Sequence, residues 1–474
     1  MMVSKRLMVV ILMLVGCFGS SQNKQLLFGF NDIPQSVLIN PSTVLDNDYY
    51  VGFPLLSHIH AGVGSSGISA FDLFADDGRD FNDKLRQVIF QLDRSDFFMA
   101  TQQVDIFSGG FAFGRGIEKD RYLSFGMYLE SDAIAYHPKD YAILAYEGNA
   151  TNIGRIFDVS DLNVSGEVVS VLHVGLTKKM NNKLTLGGRG KIYSSVFNVT
   201  STQNRGSFTT QEGQNNLLIH TFNLDFTYNS SGIASLIDDE NTDISNDIKT
   251  LRKRLLFGGN LGLGLDFGFT YQPSEQWTIE GSLLDVGFIR HTKDLETYTV
   301  NGQYVYEGIN PLFPVVPDDQ TAEDYWNDVA DNFEELFEID TTATKYTTWR
   351  PTKLNAAVRY RFGKKLSKDC NCYADDGGYL NAVGAQLFAI RRPRAPQIAL
   401  TAFYYRRMFE GLQLKATYTL DSFSFTNVGL GVSTDIGPVN LYVLADNILE
   451  YQNLAKAQSL SLQFGLNLVF RNSP

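Results

Sequence analysis

Long apolar runs are absent beyond the first 21 residues. A helix needs ~20 consecutive apolar residues to cross a bilayer, so helical spans are excluded. Cysteine is scarce: Cys17, Cys370 and Cys372 are the three. So few exclude a disulfide scaffold for a chain of 474 residues. Positive charge is in deficit, the net being −12, which excludes nucleic-acid binding by bulk electrostatics. Histidine is rare, at 6, and no H-E-x-x-H, P-loop or G-x-S-x-G occurs. Gly262-x-Gly264 lies inside a strand pattern rather than at a strand–helix turn, which removes it as a dinucleotide motif. Nothing points to catalysis, and no cofactor or metal is expected. Proline is thin too, at 13, whereas Phe (34), Tyr (23) and Gly (41) are abundant. Many strands with aromatic belts and glycine-bearing turns give that profile.

Residues 1–21 read as a signal peptide. Lys5 and Arg6 form a basic start, Leu7 to Val15 a short apolar stretch, and Gly19 and Ser21 are small residues placed for cleavage before Gln22. The competing reading is a lipobox at Leu14-Val15-Gly16-Cys17, with Cys17 lipidated.

Alternation dominates the rest. In LSLQFGLNLVF, Leu460 to Phe470, the even positions are apolar and the odd ones mostly polar. Leu261 to Tyr271 is clearer still: Leu261, Leu263, Leu265, Phe267, Phe269 and Tyr271 face one way, and Gly262, Gly264, Asp266, Gly268 and Thr270 the other. Such segments recur to a total of about 14 strands, starting near Tyr49. Working back from a C-terminus in the periplasm, all long excursions fall outside and short turns inside, apart from one inner link at 363–379. Helical spacing marks Phe81 to Leu92, Ile244 to Leu256 and Thr321 to Glu338 within the excursions, and Gly206–Thr210 with Leu217–Tyr228 reads as an extra hairpin.

If the apolar face meets lipid, the opposite face lines a lumen. That assigns Asp105, Arg189, Lys191, Asp266, Arg359, Arg361, Lys415, Gln463 and Asn467 inward, with Glu280 blurred by a phase slip in its strand. Both signs of charge are present, so ion pairs across the lumen are expected, as filling more than as a selective pore. Cys370 and Cys372 form a C-x-C in the inner link, read as a local disulfide or two free thiols rather than a metal site. His58 and His60 share a strand face and are read as wall residues. The acidic 321–340 segment lacks a calcium loop. On this assignment, Arg in place of Phe267 harms the barrel more than Arg in place of Thr270.

Three pieces carry a resemblance. Asn40-Pro41-Ser42, close after the expected mature N-terminus, resembles the Asn-Pro-Ala segment of FadL-like barrels, including the PorV and PorP/SprF types of Bacteroidota, with Ser42 in place of Ala. Gly262–Ile289 resembles their strand–turn–strand unit, and Tyr442–Phe470, with Ala445-Asp446-Asn447-Ile448-Leu449, their C-terminal end. The resemblance implies a Gram-negative outer-membrane β-barrel with residues 22–48 as a plug-like segment and 49–474 as the barrel. Its relatives imply two roles: an accessory subunit of a secretion, gliding or assembly machine, which is the main expectation, or a passive channel for hydrophobic or small solutes. The expected partners are outer-membrane lipid and other outer-membrane or surface proteins, with no nucleic acid.

Overall fold

The alternating segments close into one antiparallel barrel of 14 strands in the computed structural model, which describes residues 24–114, 119–214, 217–237, 244–308, 340–364, 378–409 and 411–471. The expected leader with Cys17, the Thr321–Glu338 segment, and Cys370 and Cys372 lie outside the described residues. The strands are β1 (Tyr49–Gly52 and Ile59–Ser65), β2 (Phe97–Phe113), β3 (Arg121–Tyr136), β4 (Val164–Lys179) and β5 (Leu184–Glu212). They continue as β6 (Asn260–Tyr271), β7 (Trp277–His291), β8 (Lys353–Lys364), β9 (Tyr379–Ile390) and β10 (Gln397–Phe409). The last four are β11 (Leu412–Leu420), β12 (Asn427–Ile436), β13 (Val439–Asp446) and β14 (Ser459–Phe470). Each strand pairs with the next, and β14 returns to β1, for example Tyr49 with Phe470 and Ile59 with Phe464. No sheet edge is left in the ring, which is what a backbone in lipid requires.

The two faces differ as the residue types dictate. On β6, Leu263 is 59% exposed and Asp266 0%. Aromatic pairs sit near the short-turn end: Tyr49 stacks on Phe470 at 4.5 Å and Trp277 lies 5.0 Å from Tyr360.

Irregularities fall where the sequence pattern falters. The weak first strand is interrupted: 53–58 loops out of β1, with Leu55 at φ 63 and Phe53, Leu55 and Leu56 exposed. The phase slip in β7 is a bulge, with Leu284 and Asp285 opposing Asp266 alone. Asp285, at φ 58, turns its carboxylate inward as a result.

At the long-loop end β5 runs on past the wall as one strand of a second layer of sheet. It pairs there with Leu218–Ser231, which pairs with Leu295–Gly308, and the short strand Ile156–Asp158 joins its other side. The Leu295–Gly308 strand was not expected from the sequence. Two helices, α1 (Phe81–Gln91) and α2 (Lys139–Glu147), cover this sheet around Ile89, Ile143, Leu144, Phe157, Phe208 and Phe222. Ahead of α1, Lys84 Nζ and Arg79 Nε reach Asp77 at 2.6 and 2.8 Å, and these bonds hold its carboxyl below the usual aspartate range. The helix expected to Leu256 is α-helical over Ile244–Lys253 and runs on into a π turn, Arg254–Gly258, within which Leu256 and Phe257 (φ 64) leave helical geometry and turn the chain into β6.

Candidate functional site: the barrel interior

Residues 24–48 lie against the inner wall and form no ladder with it. The segment runs through tight turns and one short 3-10 helix, Pro34–Leu38. Carbonyls buried without a ladder need other donors, and the inward polar side chains supply them. Lys415 Nζ donates to the carbonyls of Leu26 and Phe28 at 3.1 and 2.6 Å. Arg189 Nη1 donates to Leu38 O at 3.1 Å, Ser282 Oγ to Ile39 O at 2.7 Å, and Thr177 Oγ1 to Pro41 O at 2.6 Å. Leu26, Leu27, Phe28, Phe30 and Ile33 are buried with Tyr442 and Leu444.

Asn40-Pro41-Ser42 has a physical basis here. Ser42 N and Oγ both donate to Asn40 Oδ1, at 3.1 and 2.8 Å, which fixes the turn. Ser42 Oγ also meets Thr270 Oγ1 at 2.9 Å. A Cβ at Gly187 would strike the Pro41 carbonyl, and one at Gly268 would strike Asn40 Oδ1. Two glycines of adjacent strands thus make the seat. Thr270 thus abuts Ser42, so Arg at position 270 would crowd this turn.

Toward the long-loop end, ion pairs cross the interior. Asp266 Oδ2 lies 2.9 Å from both Arg189 and Lys191. Lys191 continues to Asp285 at 2.6 Å, and Asp285 to Lys353 at 3.0 Å. Lys353 reaches Glu130 at 2.8 Å, and Glu130 reaches Arg350 at 2.6 Å. Arg350 also pairs with Glu167. The bulge amide of Asp285 donates to Asp266 Oδ1 at 2.7 Å, which ties the bulge to the network. Higher up, Arg392 pairs with Asp132, Nη2 to Oδ2 being 3.1 Å. Glu130 and Asp132 belong to β3, and Lys353 to β8, so these bonds bridge opposite parts of the ring. Between network and segment lies a cavity of about 50 Å³, bordered by Lys24, His60, Tyr128, Glu130, Asp285 and Lys353. That is room for a few waters.

The remaining sequence-derived positions fall as follows. Asp105 is buried, accepting from Gln103 at 3.1 Å. Arg359 is half-buried, 3.4 Å from Glu280, which is itself buried. Arg361 is half-buried and donates to Thr278 Oγ1 at 2.8 Å. Asn467 exchanges bonds with Gln35 at 2.7 and 3.0 Å. Gln463 is buried, and among the described residues its amide has no hydrogen-bond partner. His58 precedes the strand segment that holds His60. Their bonds go to Tyr442 at 2.6 Å and Thr101 at 3.2 Å respectively, and no group of metal-ligating side chains occurs among the described residues. Glu130, Asp132, Glu167, Asp285, Arg350, Lys353 and Arg392 were not singled out from the sequence. For Glu130 and Asp132 a signal existed: both keep the parity of Ser124 and Tyr128, opposite to the outward Phe125.

A closed 14-strand barrel with an inward-folded N-terminal stretch and a bridged interior defines the structural class. The chain belongs to a family described as of unknown function (DUF5723), whose model matches residues 41–446. Its fold is also similar to the toluene transporter TbuX of Ralstonia pickettii, at 10% identity and TM-score 0.41, covering 93% of this chain and 94% of that one. A FadL homologue of Pseudomonas aeruginosa gives 11% identity and TM-score 0.39 over 96% and 97% of the two chains. The P. putida toluene transporter TodX gives 10% and 0.36 over 96% of each. Likeness at this level says nothing of what this chain carries. No curated protein matches.

Proposed function

We propose that the chain is a non-enzymatic barrel of a Gram-negative outer membrane and works as a passive, FadL-like channel for hydrophobic or small solutes. On this reading the described part of the 22–48 segment, residues 24–48, serves as its plug. One observation carries this reading. Inside the wall, buried apolar groups recur from the long-loop end inward: Phe97, Met99, Ile134 and Tyr136, then Phe388 and Ile390, then Tyr128, Val171 and Ile289 against Leu38 of the segment. A lumen serving ions alone has no use for them. The apolar outer face supports membrane insertion, and the Bacteroidota setting follows from the resemblance of the Asn40-Pro41-Ser42 region.

The test is uptake by liposomes carrying the full chain, with a fatty acid and a monoaromatic hydrocarbon as probes. Entry above the rate of empty liposomes supports the channel. A rate equal to that of empty liposomes, with a stoichiometric protein partner retained on purification from the native membrane, favours the second reading, an accessory subunit of an outer-membrane complex. That reading draws on the layer of sheet beyond the wall, whose own apolar core makes a firm platform for a partner.

A further inference from the structure

At the rim between β5 and β6 three cations of this acidic chain stand together. Lys249, Arg252 and Lys253 are all exposed and stand at spacings of three and four on the helix Ile244–Lys253, so they share one side of it. With Ile248 and Leu256, which are 60% and 62% exposed, they border one open concavity. The helix is held in place at its end. Arg254 is buried, with Nη2 2.6 Å from Asp294 and its carbonyl accepting from Ser194 Oγ at 2.7 Å. Five residues past Leu256 begins the outward apolar face of β6, with Leu261 and Leu263 exposed.

We infer that this concavity docks a phosphorylated lipid of the outer leaflet, its phosphates on Lys249, Arg252 and Lys253 and its first acyl carbons on Ile248 and Leu256. Exposed apolar side chains beside three cations match an anionic lipid in both charge and polarity. The inference rests on the outer-membrane reading and is independent of transport.

The experiment is native mass spectrometry of the purified full chain with added bisphosphorylated lipid A or its dephosphorylated form. The wild type should retain the bisphosphorylated lipid well over tenfold better, at roughly fivefold per cation. K249Q/R252Q/K253Q should lose that preference, and Ile248→Ser should weaken retention of both lipids alike. Equal retention of both lipids by the wild type overturns the proposal, and this comparison needs no variant to fold. So does a triple variant, shown folded by heat-modifiable mobility, that keeps the preference. Retention of inorganic phosphate in place of lipid also overturns it. A chain that fails to insert into bilayers at all would instead reject the outer-membrane reading, so the two failures are distinguishable.

Discussion

The two halves of the barrel interior are filled by different chemistry. Near the short turns, backbone carbonyls of 24–48 accept from wall donors such as Lys415, Arg189 and Ser282, beside local ion pairs such as Arg359 with Glu280 and Arg407 with Asp32 of the segment. Toward the long loops the acceptors are carboxylates, and cation and anion both come from the wall. The first half depends on a segment tethered to the wall through β1 and lying outside its ladders. The second depends only on strands already fixed by their ladders. A half held by a tethered segment can be emptied without breaking the wall, whereas a half held by a buried ion-pair network cannot lose one carboxylate without leaving its cations short of compensating charge.

The contrast breaks most sharply at Asp285. Asp285→Ala leaves Lys191 and Lys353 short of a buried partner and should destabilise the fold by about 3–5 kcal/mol, read as a shift in the urea midpoint of refolding into lipid. Smaller losses would mean that water fills this half. Phe267→Arg tests inside against outside and should cost ~2–4 kcal/mol if the site is near the midplane. Gln386→Arg, which replaces a buried inward side chain of β9, puts an unpaired charge into the interior instead, and salt should ease its cost only if counterions reach that site. Lys415→Met tests the tethered half. It strips the donor from the carbonyls of Leu26 and Phe28, at about 1–3 kcal/mol for the unsatisfied groups. Because the segment alone is affected, limited proteolysis should cut within 24–48 faster while the wall keeps its heat-modifiable mobility. The smallest effect belongs to the cap. The carboxyl of Asp77 is held below its usual range by Lys84 and Arg79, so its contribution is present above the ordinary aspartate value, about 4, and fades as pH falls below it. Hydrogen exchange of α1 should quicken below that pH, and Asp77→Asn should remove the dependence.

The wall was legible because one face of each strand needs apolar side chains and the other does not. β6 and β14 show this along their whole length. Loop parity set which end carries the excursions. The interruption of β1 at 53–58 appeared only as a weak pattern, since a loop-out keeps apolar residues outward without keeping the period. The slip in β7 was visible, but its consequence was not, because a bulge that turns Asp285 inward depends on what stands opposite it. Arg189, Lys191 and Asp266 could be placed by alternation. Their joining to Glu130 and Lys353 could not, because it needs the distance across a closed ring, which no single strand encodes. The helix α2 was missed for want of a clear apolar stripe, and the Leu295–Gly308 strand because both its faces are mixed.

The pairing of Tyr49–Gly52 with Phe470–Asn467 joins the first strand to the last. The wall therefore stays an open ribbon with two unpaired edges until the final dozen residues have been made and delivered. One of those edges leads directly into the segment that occupies the interior. The order of assembly follows: twelve middle strands can zip early, but the seam and the lodging of 24–48 are settled together, at the end. A chain shortened from its C-terminus should accumulate as an unclosed sheet whose N-terminal segment is open to protease, rather than as a smaller barrel.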